Sequence, residues 1–530
     1  MTALHFISGL HAMIDGPHIH GATEKAVMRV QMSTTKRQLE DLPAPSGLPW
    51  LGNLHQIDRK QLHAKLEEWA ETLGPSYTFK FGSKRILVTS EVEIALSALK
   101  DRPGHFRRLS TIEPVARELG INGLFSVEGE AWRLQRNLVT RALSPQQLEG
   151  FFPSLQRICD RLRRRWQKNA DAGTDTDVIQ DLTRFTVDTT ATLVFGKDVN
   201  TLQDDDDAIQ RHISIILPMV GFRTRALLPY WRYFKLPRDY RLDRSLRAVR
   251  TFVEEMIARA RWSMRRSRGG NHRNLLEAML ALVDEPNSGF SDDDVYANII
   301  TLLLAGEDTT AYSLAWAIYL LAGNRDLQAK LHDAARDALG DARVPMTFAD
   351  TARLGLFEGV AFEAMRMRPV SALHFLEANE AAELAGIRIP NGTPVILLTR
   401  PASLDDNNYQ DAKDFKPERW LDRRGSACAA HSNKAFMQFG AGPRFCPGRY
   451  LATLEMKMVL ATLARNFSFE HAEDPSATKE VFAFTMMPSR LRLRLHPRAR
   501  KSVDPNWPYI PSTFGNLAIH PCQINQAGNW

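Results

Sequence analysis

The chain predicts a mainly α fold, helical with small β-sheets set to one side. Three observations carry that expectation. Residues 291–322 hold the longest stretch of helical periodicity in the 530 residues. Strand-like segments are short, at 76–81, 85–89, 387–389, 395–397 and 490–495, the last alternating with period two. No polar, low-complexity linker divides the chain, so a length that would suit several domains reads as one large unit.

Taken in order, residues 1–40 carry His5, Asp15, Glu24, Lys25 and Arg29 and no apolar run long enough to span a bilayer. They read as a disordered leader without an anchor, which points to a cytoplasmic protein, with Met32 a candidate start. His11, His18 and His20 within it are weighed as metal ligands and set aside as part of that leader. Pro43, Pro45 and Pro49 stiffen 41–54 and exclude a helix. Residues 60–73 have helical spacing, and 76–81 and 85–89 are strands joined by Gly82-Ser83-Lys84. Residues 129–141 place Trp132 and Arg136 four apart on one helix face. Asp204 to Asp207 read as a solvated helix start. The aromatic-basic run Pro229–Phe234 reads as a lid over an entrance, with peripheral membrane contact the weaker alternative.

Ser291 with Asp294 resembles a capping box, and Gly323 suits a helix end. At about 1.5 Å per residue, 291–322 would run about 48 Å. Glu307 and Asp308 lie in its middle, and each acid would cost about 3 kcal/mol at a bilayer centre, so a buried core helix is expected. Residues 357–366 are helical again, with Glu363 and Arg366 on one face. Ile387–Ile389 and Val395–Leu397 are expected to pair through a turn at Pro390-Asn391-Gly392. Leu491, Leu493 and Leu495 alternate with Arg490, Arg492 and Arg494, as in a strand with one buried face. Residues 498–530, with Pro505, Pro508 and Pro511, read as a tail.

Composition is ordinary for a globular protein, at 44% hydrophobic and 24% charged. The net charge of +7 is mild, and without an ordered basic-aromatic array it argues for an acidic protein partner over nucleic acid. The four cysteines, Cys159, Cys428, Cys446 and Cys522, are scattered with no CxxC, which fits a reducing compartment and a monomer without disulfides.

The chemistry concentrates at Phe439-Gly440-Ala441-Gly442-Pro443-Arg444-Phe445-Cys446-Pro447-Gly448. Gly440, Gly442 and Gly448 are expected to allow a tight curl against a flat ligand. Cys446 lies near a helix N-terminus, where a thiolate is favoured, and a thiolate there suits a soft metal centre such as haem iron. Phe439, Gly442, Arg444, Cys446 and Gly448 at this spacing resemble the haem loop of the cytochrome P450 family. The resemblance covers about residues 40 to 497 and implies one P450-like domain over 41–497 with a long central helix.

The resemblance implies haem b with Cys446 as its axial ligand and Phe439, Gly440 and Gly448 beside it. Ala305-Gly306-Glu307-Asp308-Thr309-Thr310 is similar to the family's oxygen-activating helix, with Asp308 and Thr309 passing protons to dioxygen. Gly306 is expected to leave room for ligand, and Thr309 to disturb the helix through its hydroxyl. Trp132, Arg136 and Arg444 would meet the haem propionates, and His374 stands where relatives more often have arginine. Glu363, Arg366 and Arg419, the last in Phe415-Lys416-Pro417-Glu418-Arg419-Trp420, would lock the core. The implied reaction inserts one oxygen atom of dioxygen into an apolar small molecule, by hydroxylation or epoxidation. No GxGxxG fingerprint is evident, so electrons are expected from a separate ferredoxin- or flavodoxin-like donor with its reductase, docking near Arg133, Arg141, Lys434 and Arg449. Peroxide-driven oxidation or isomerisation, and a non-enzymatic gas-binding haem protein, are the alternatives. Pocket walls are expected from about 104–125, 299–309, 370–376 and 484–487.

Overall fold

A computed structural model describes residues 37–203, 208–226, 228–266, 274–286, 288–421 and 433–498. The expected acidic helix start at 204–207, Cys428, Cys522, the leader to residue 36 and the tail beyond 498 lie outside them.

Seven helices bear on the site: α1 Gly129–Ala142, α2 Val178–Phe195, α3 Ala208–Thr224, α4 Pro237–Arg266, α5 Asp292–Ala322, α6 Gly355–Met367 and α7 Arg449–Asn466, all but α4 contributing to the cavity wall. The central helix α5 starts and stops where the sequence signals. Asp294 N–H donates to Ser291 Oγ at 3.2 Å, and Ser291 N–H donates back to Asp294 Oδ2 at 2.9 Å. Gly323 caps its C-terminus. Its buried residues include Val295, Ile299, Ile300, Leu303, Leu314 and Ile318, which lie on several faces. It therefore behaves as a core helix wrapped by neighbours, and it packs on α2, α6 and α7. No helix among the described residues is long and apolar enough to cross a membrane.

The main sheet has five strands: β1 Ser76–Phe81, β2 Lys84–Thr89, β3 Phe106–Arg108, β4 Leu373–Ala378 and β5 Pro394–Leu398, in the order β1-β2-β5-β4-β3. The expected hairpin is present, with Ser76 opposite Thr89 and Phe81 opposite Lys84. The expected pairing of 387–389 with 395–397 is not. Ile387–Ile389 pairs instead with Ala382–Leu384, through Ala385 and Gly386 at φ 47° and 78°. That two-residue, positive-φ turn matches strand twist better than the Pro-Asn-Gly turn does. β5 is thereby freed to lie between β2, in parallel, and β4, antiparallel, where its apolar run is buried on both faces.

Arg492–Pro497 forms the middle of a three-stranded sheet, with Leu493 and Leu495 buried and Arg492 and Arg494 exposed, as the alternation requires. Of residues 37–40, assigned from sequence to the leader, Arg37 bridges Ile387 and Leu39 is buried, while the other side chains stay exposed. Trp50 is almost fully exposed at φ 66°, in a proline-rich segment that forms no α-helix.

Glu363 and Arg366 are both fully buried on α6. Glu363 Oε1 accepts from Arg366 Nη2 at 2.8 Å, Arg419 Nε at 2.9 Å and Lys416 N–H at 3.0 Å. Its Oε2 accepts from Arg366 Nε and Trp420 Nε1, both at 2.9 Å. Arg366 spends its remaining donors on the carbonyls of Ser403, Ala412 and Asp414. The backbone comes close here: a Cβ on Gly359 would lie 2.6 Å from the Pro417 carbonyl oxygen. Removing one member of such a pair strands a buried charge at a cost of about 3–5 kcal/mol. Glu363→Ala is therefore expected to lower the thermal midpoint sharply or prevent folding, whereas the exposed Glu418→Ala should change it little. Thermal melts of the two variants beside wild type make the comparison.

Candidate active site

A cavity of ≈ 390 Å³, partly open to solvent, lies between the cysteine loop and the inner face of α5. The loop is shaped by two positive-φ glycines, Gly440 at 75° and Gly442 at 66°. A Cβ on Gly442 would lie 2.6 Å from the Leu99 carbonyl oxygen and 2.7 Å from Lys100 Cα, so glycine alone fits. Gly448 differs from expectation. Its φ of −84° suits any residue, and it is the residue before α7. A Cβ there would sit 3.9 Å from the Cys446 sulfur, an ordinary van der Waals contact, so neither backbone angle nor space demands glycine at this position.

Cys446 lines the cavity, and its N–H donates to the Phe439 carbonyl at 2.8 Å. Burial raises its thiol pKa. The N–H groups of Gly448 and Arg449 and the charges of Arg136 and Arg449 act in the opposite direction. Phe439 packs against Phe362, Phe436 and Phe445, and Arg449 stacks over Phe439 at 5.6 Å.

From α5, Ala305, Gly306, Thr309, Thr310 and Ser313 reach the cavity. Thr309 Oγ1 donates to the Ala305 carbonyl at 2.7 Å, yet the helix runs on unbroken, contrary to the expected disturbance. Gly306 makes room for a neighbouring helix more than for ligand: a Cβ there would meet Thr190 Oγ1 of α2 at 2.7 Å. Asp308 is not among the lining residues. Its carboxyl hydrogen-bonds Tyr312, and burial raises its pKa to about 6. One helix position, about 100° of rotation, separates it from the wall that Thr309 occupies.

Trp132, Arg136, Arg444 and His374 all line the cavity, as the sequence indicates. Arg444 lies 4.5 Å over the Trp132 ring, donates to the Val127 carbonyl at 2.8 Å and pairs with Glu128. His374 Nε2 donates to the Met437 carbonyl at 3.2 Å. Burial, reinforced by Arg102 and Arg108, lowers its pKa to about 4, so it is neutral.

Arg102, Arg108 and Gln438 join this wall without having been singled out in the sequence. Burial pushes the pKa values of Arg102 and Arg444 down to about 10, and that of Arg108 falls with Arg102 and Arg444 beside it. Buried donors without a partner are Arg102 Nε and Nη2, Arg108 Nε, Arg444 Nε and Nη1, and Gln438 Nε2. Such a set, opposed mainly by Glu128, fits a flat group carrying two carboxylates, as haem does. A further residue missed in the sequence is Glu455, on α7 and lining the cavity. It is buried against Thr310, and burial raises its pKa to about 8. At α7's helical spacing it reads as an ordinary surface acid, and only packing against α5 makes it otherwise.

A helical fold that buries a thiol opposite an alcohol-bearing helix, beside arginines short of counter-charge, is the architecture of a haem-thiolate enzyme. The family model for Cytochrome P450 matches residues 42–495, and the chain belongs to that family. It is a cytochrome P450 monooxygenase whose cofactor is haem, iron protoporphyrin IX, held through a cysteine thiolate. It is 28% identical to the pentalenene oxygenase of Streptomyces avermitilis, over 86% of this chain and 97% of that one. It is 24% identical to the protein LUTEIN DEFICIENT 5, chloroplastic, of Arabidopsis thaliana, over 87% of this chain and 78% of that one. A self-sufficient cytochrome P450 monooxygenase of Phanerodontia chrysosporium is 25% identical over 87% of this chain, which spans 43% of that relative.

Glu455 gives the site a pH signature. Below its ordinary carboxylate pKa it is protonated whether the chain is folded or not. Between there and about 8 the unfolded chain releases a proton that the folded one keeps, so stability falls as pH rises through that window. Glu455→Gln removes this dependence. Its thermal midpoint relative to wild type is expected to climb between about pH 5 and about pH 9, as read by melting curves across that range.

Proposed function

We propose that Cys446 is the axial ligand and that the wall of Trp132, Arg136, Arg444, Arg102 and Arg108 holds the propionates, with His374 a neutral neighbour. The observation that carries this reading is the convergence of Cys446 and these arginines on one cavity beneath Thr309. Bound there, haem supplies the oxidising power for inserting an oxygen atom of dioxygen into a substrate C–H or C=C bond. Phe439, Gly440 and Gly448 shape the loop around the thiol, and Arg449, stacked on Phe439, moderates its charge.

Thr309 keeps its lone pairs toward the cavity while its proton rests on the Ala305 carbonyl, so it accepts a hydrogen bond from within and passes a proton by rotating its hydroxyl. Asp308, poised near neutrality on Tyr312, is the outer source of that proton. The lining of Leu109, Ile112, Leu124, Phe125, Leu302 and Phe484 suits an apolar substrate body.

Electrons come, on this reading, from a separate acidic donor of the ferredoxin or flavodoxin kind in a cytoplasmic setting. Of the four docking cations expected, Arg133 pairs with Glu130 and Lys434 with Glu93, and Arg449 stacks on aromatic rings, so Arg141 is the most available. The self-sufficient relative is the contrasting arrangement.

Cys446→Ser is expected to abolish the thiolate-type absorption band of the reduced, carbon monoxide-bound protein, and monooxygenation with it. Retention of that band would remove Cys446 from the role. Thr309→Ala should keep haem content but divert more reductant into hydrogen peroxide per product formed. Reductant consumed, peroxide and product, measured together, decide this.

A further inference from the structure

Arg225 directly follows α3, and its side chain lines the cavity beside Thr224, Phe484 and Thr485. One guanidinium nitrogen donates to the Ala483 carbonyl, and Cζ lies 5.1 Å from the Phe482 ring centroid. No carboxylate pairs with it among the described residues. The nearby charge that acts on it is another cation, Arg59. Burial, with Arg59, lowers its pKa to about 10, which leaves it protonated at neutral pH.

Arg225 is half-buried, and apart from Arg102 and Arg108 of the propionate wall, which also lack a salt bridge among the described residues, several buried arginines are paired. Arg366 has Glu363, Arg400 has Glu67 and Glu480, Arg223 has Asp239, and Arg444 has Glu128. Arg225 also stands apart from the propionate group. A Cβ on Gly221 would lie 3.2 Å from Phe484 Cδ2 and 3.4 Å from Arg225 Nη2, so Phe484 and Arg225 are side by side. Phe484 meets Phe125 edge-on at 5.6 Å, and Arg108 lies 3.9 Å over Phe125. Two aromatic rings thus separate Arg225 from Arg108.

A half-buried cation facing a cavity without an anion carries an unmet desolvation cost, and an arriving carboxylate would relieve it through two parallel N–H···O bonds. The wall beside it, with Phe125, Phe484, Ile112 and Leu302, is apolar. We propose that Arg225 receives the carboxylate of an amphipathic acid whose apolar body extends toward Cys446, so the substrate class is an apolar carboxylic acid and not a neutral hydrocarbon. The assignment rests on the haem-thiolate reading of the same cavity.

The test uses alkanes of increasing length bearing imidazole at one end and either a carboxylate or its neutral carboxamide at the other. The imidazole binds ferric haem iron whatever the natural substrate, so each ligand reports through the Soret shift. In the wild-type holoprotein the acid should bind about tenfold or more tighter than the amide at one chain length, as a charge-assisted pair requires. Arg225→Gln should abolish that preference and Arg225→Lys retain part of it. Equal binding of acid and amide at every length, or a preference that survives Arg225→Gln, overturns the proposal. Should the Gln variant fail to hold haem, Arg225→Met, which keeps apolar contact with Phe482, takes its place. Failure of free imidazole to shift the wild-type spectrum would instead overturn the haem-thiolate reading.

Discussion

The structure depends on one buried ion pair. Glu363 and Arg366 stand three residues apart on α6 with no access to water. Arg366 fills all its N–H donors, two on Glu363 and the rest on three carbonyls from the long irregular segment after β5. Glu363 in turn receives Arg419, Trp420 and the Lys416 N–H from the same segment. That stretch has little regular secondary structure, so side chains must satisfy its backbone and fix its path. Phe362 of α6 packs on Phe436 and Phe439 at the start of the cysteine loop, while the other faces of α6 pack on α5 and α7. The pair therefore sets the two walls of the cavity relative to each other. Its value lies in position, since a buried pair by itself adds little net stability.

Electrostatics inside the cavity follow from burial and are divided by region. At one end Arg102, Arg108 and Arg444 share Glu128 and depress one another's basicity. His374, in the same field, gives up its proton. On the α5–α7 side the acids move the other way: Asp308 and Glu455 are both pushed toward the neutral form, where they can hold a proton near Thr309 and Thr310. A third region, at Arg225, carries a cation with no acid beside it. Thus one end suits the carboxylates of a cofactor, another the movement of protons, and the third an anionic substrate group.

Much of this was legible in the sequence, where the signal is local. The length and caps of α5, the first hairpin, the alternation at Leu493 and Leu495, and the glycine-framed cysteine each depend on residues close together in the chain. Spacing also placed Glu363 with Arg366, and Trp132 with Arg136, because helical neighbours share a face. The comparison family came from the same local motifs, matched over most of the chain.

Tertiary structure decided what depends on neighbours distant in sequence. The partner of Ile387–Ile389 turned on a positive-φ turn at Ala385-Gly386 and on the burial of β5 between two strands. Gly306 proved to face Thr190, and Asp308 proved to face Tyr312, because packing against other elements decides which side of a helix meets the cavity. Arg102, Arg108, Arg225 and Glu455 look like ordinary solvated charges in the sequence. Only folding removes water from around them, and the loss of hydration turns each from a surface charge into a group that needs a partner.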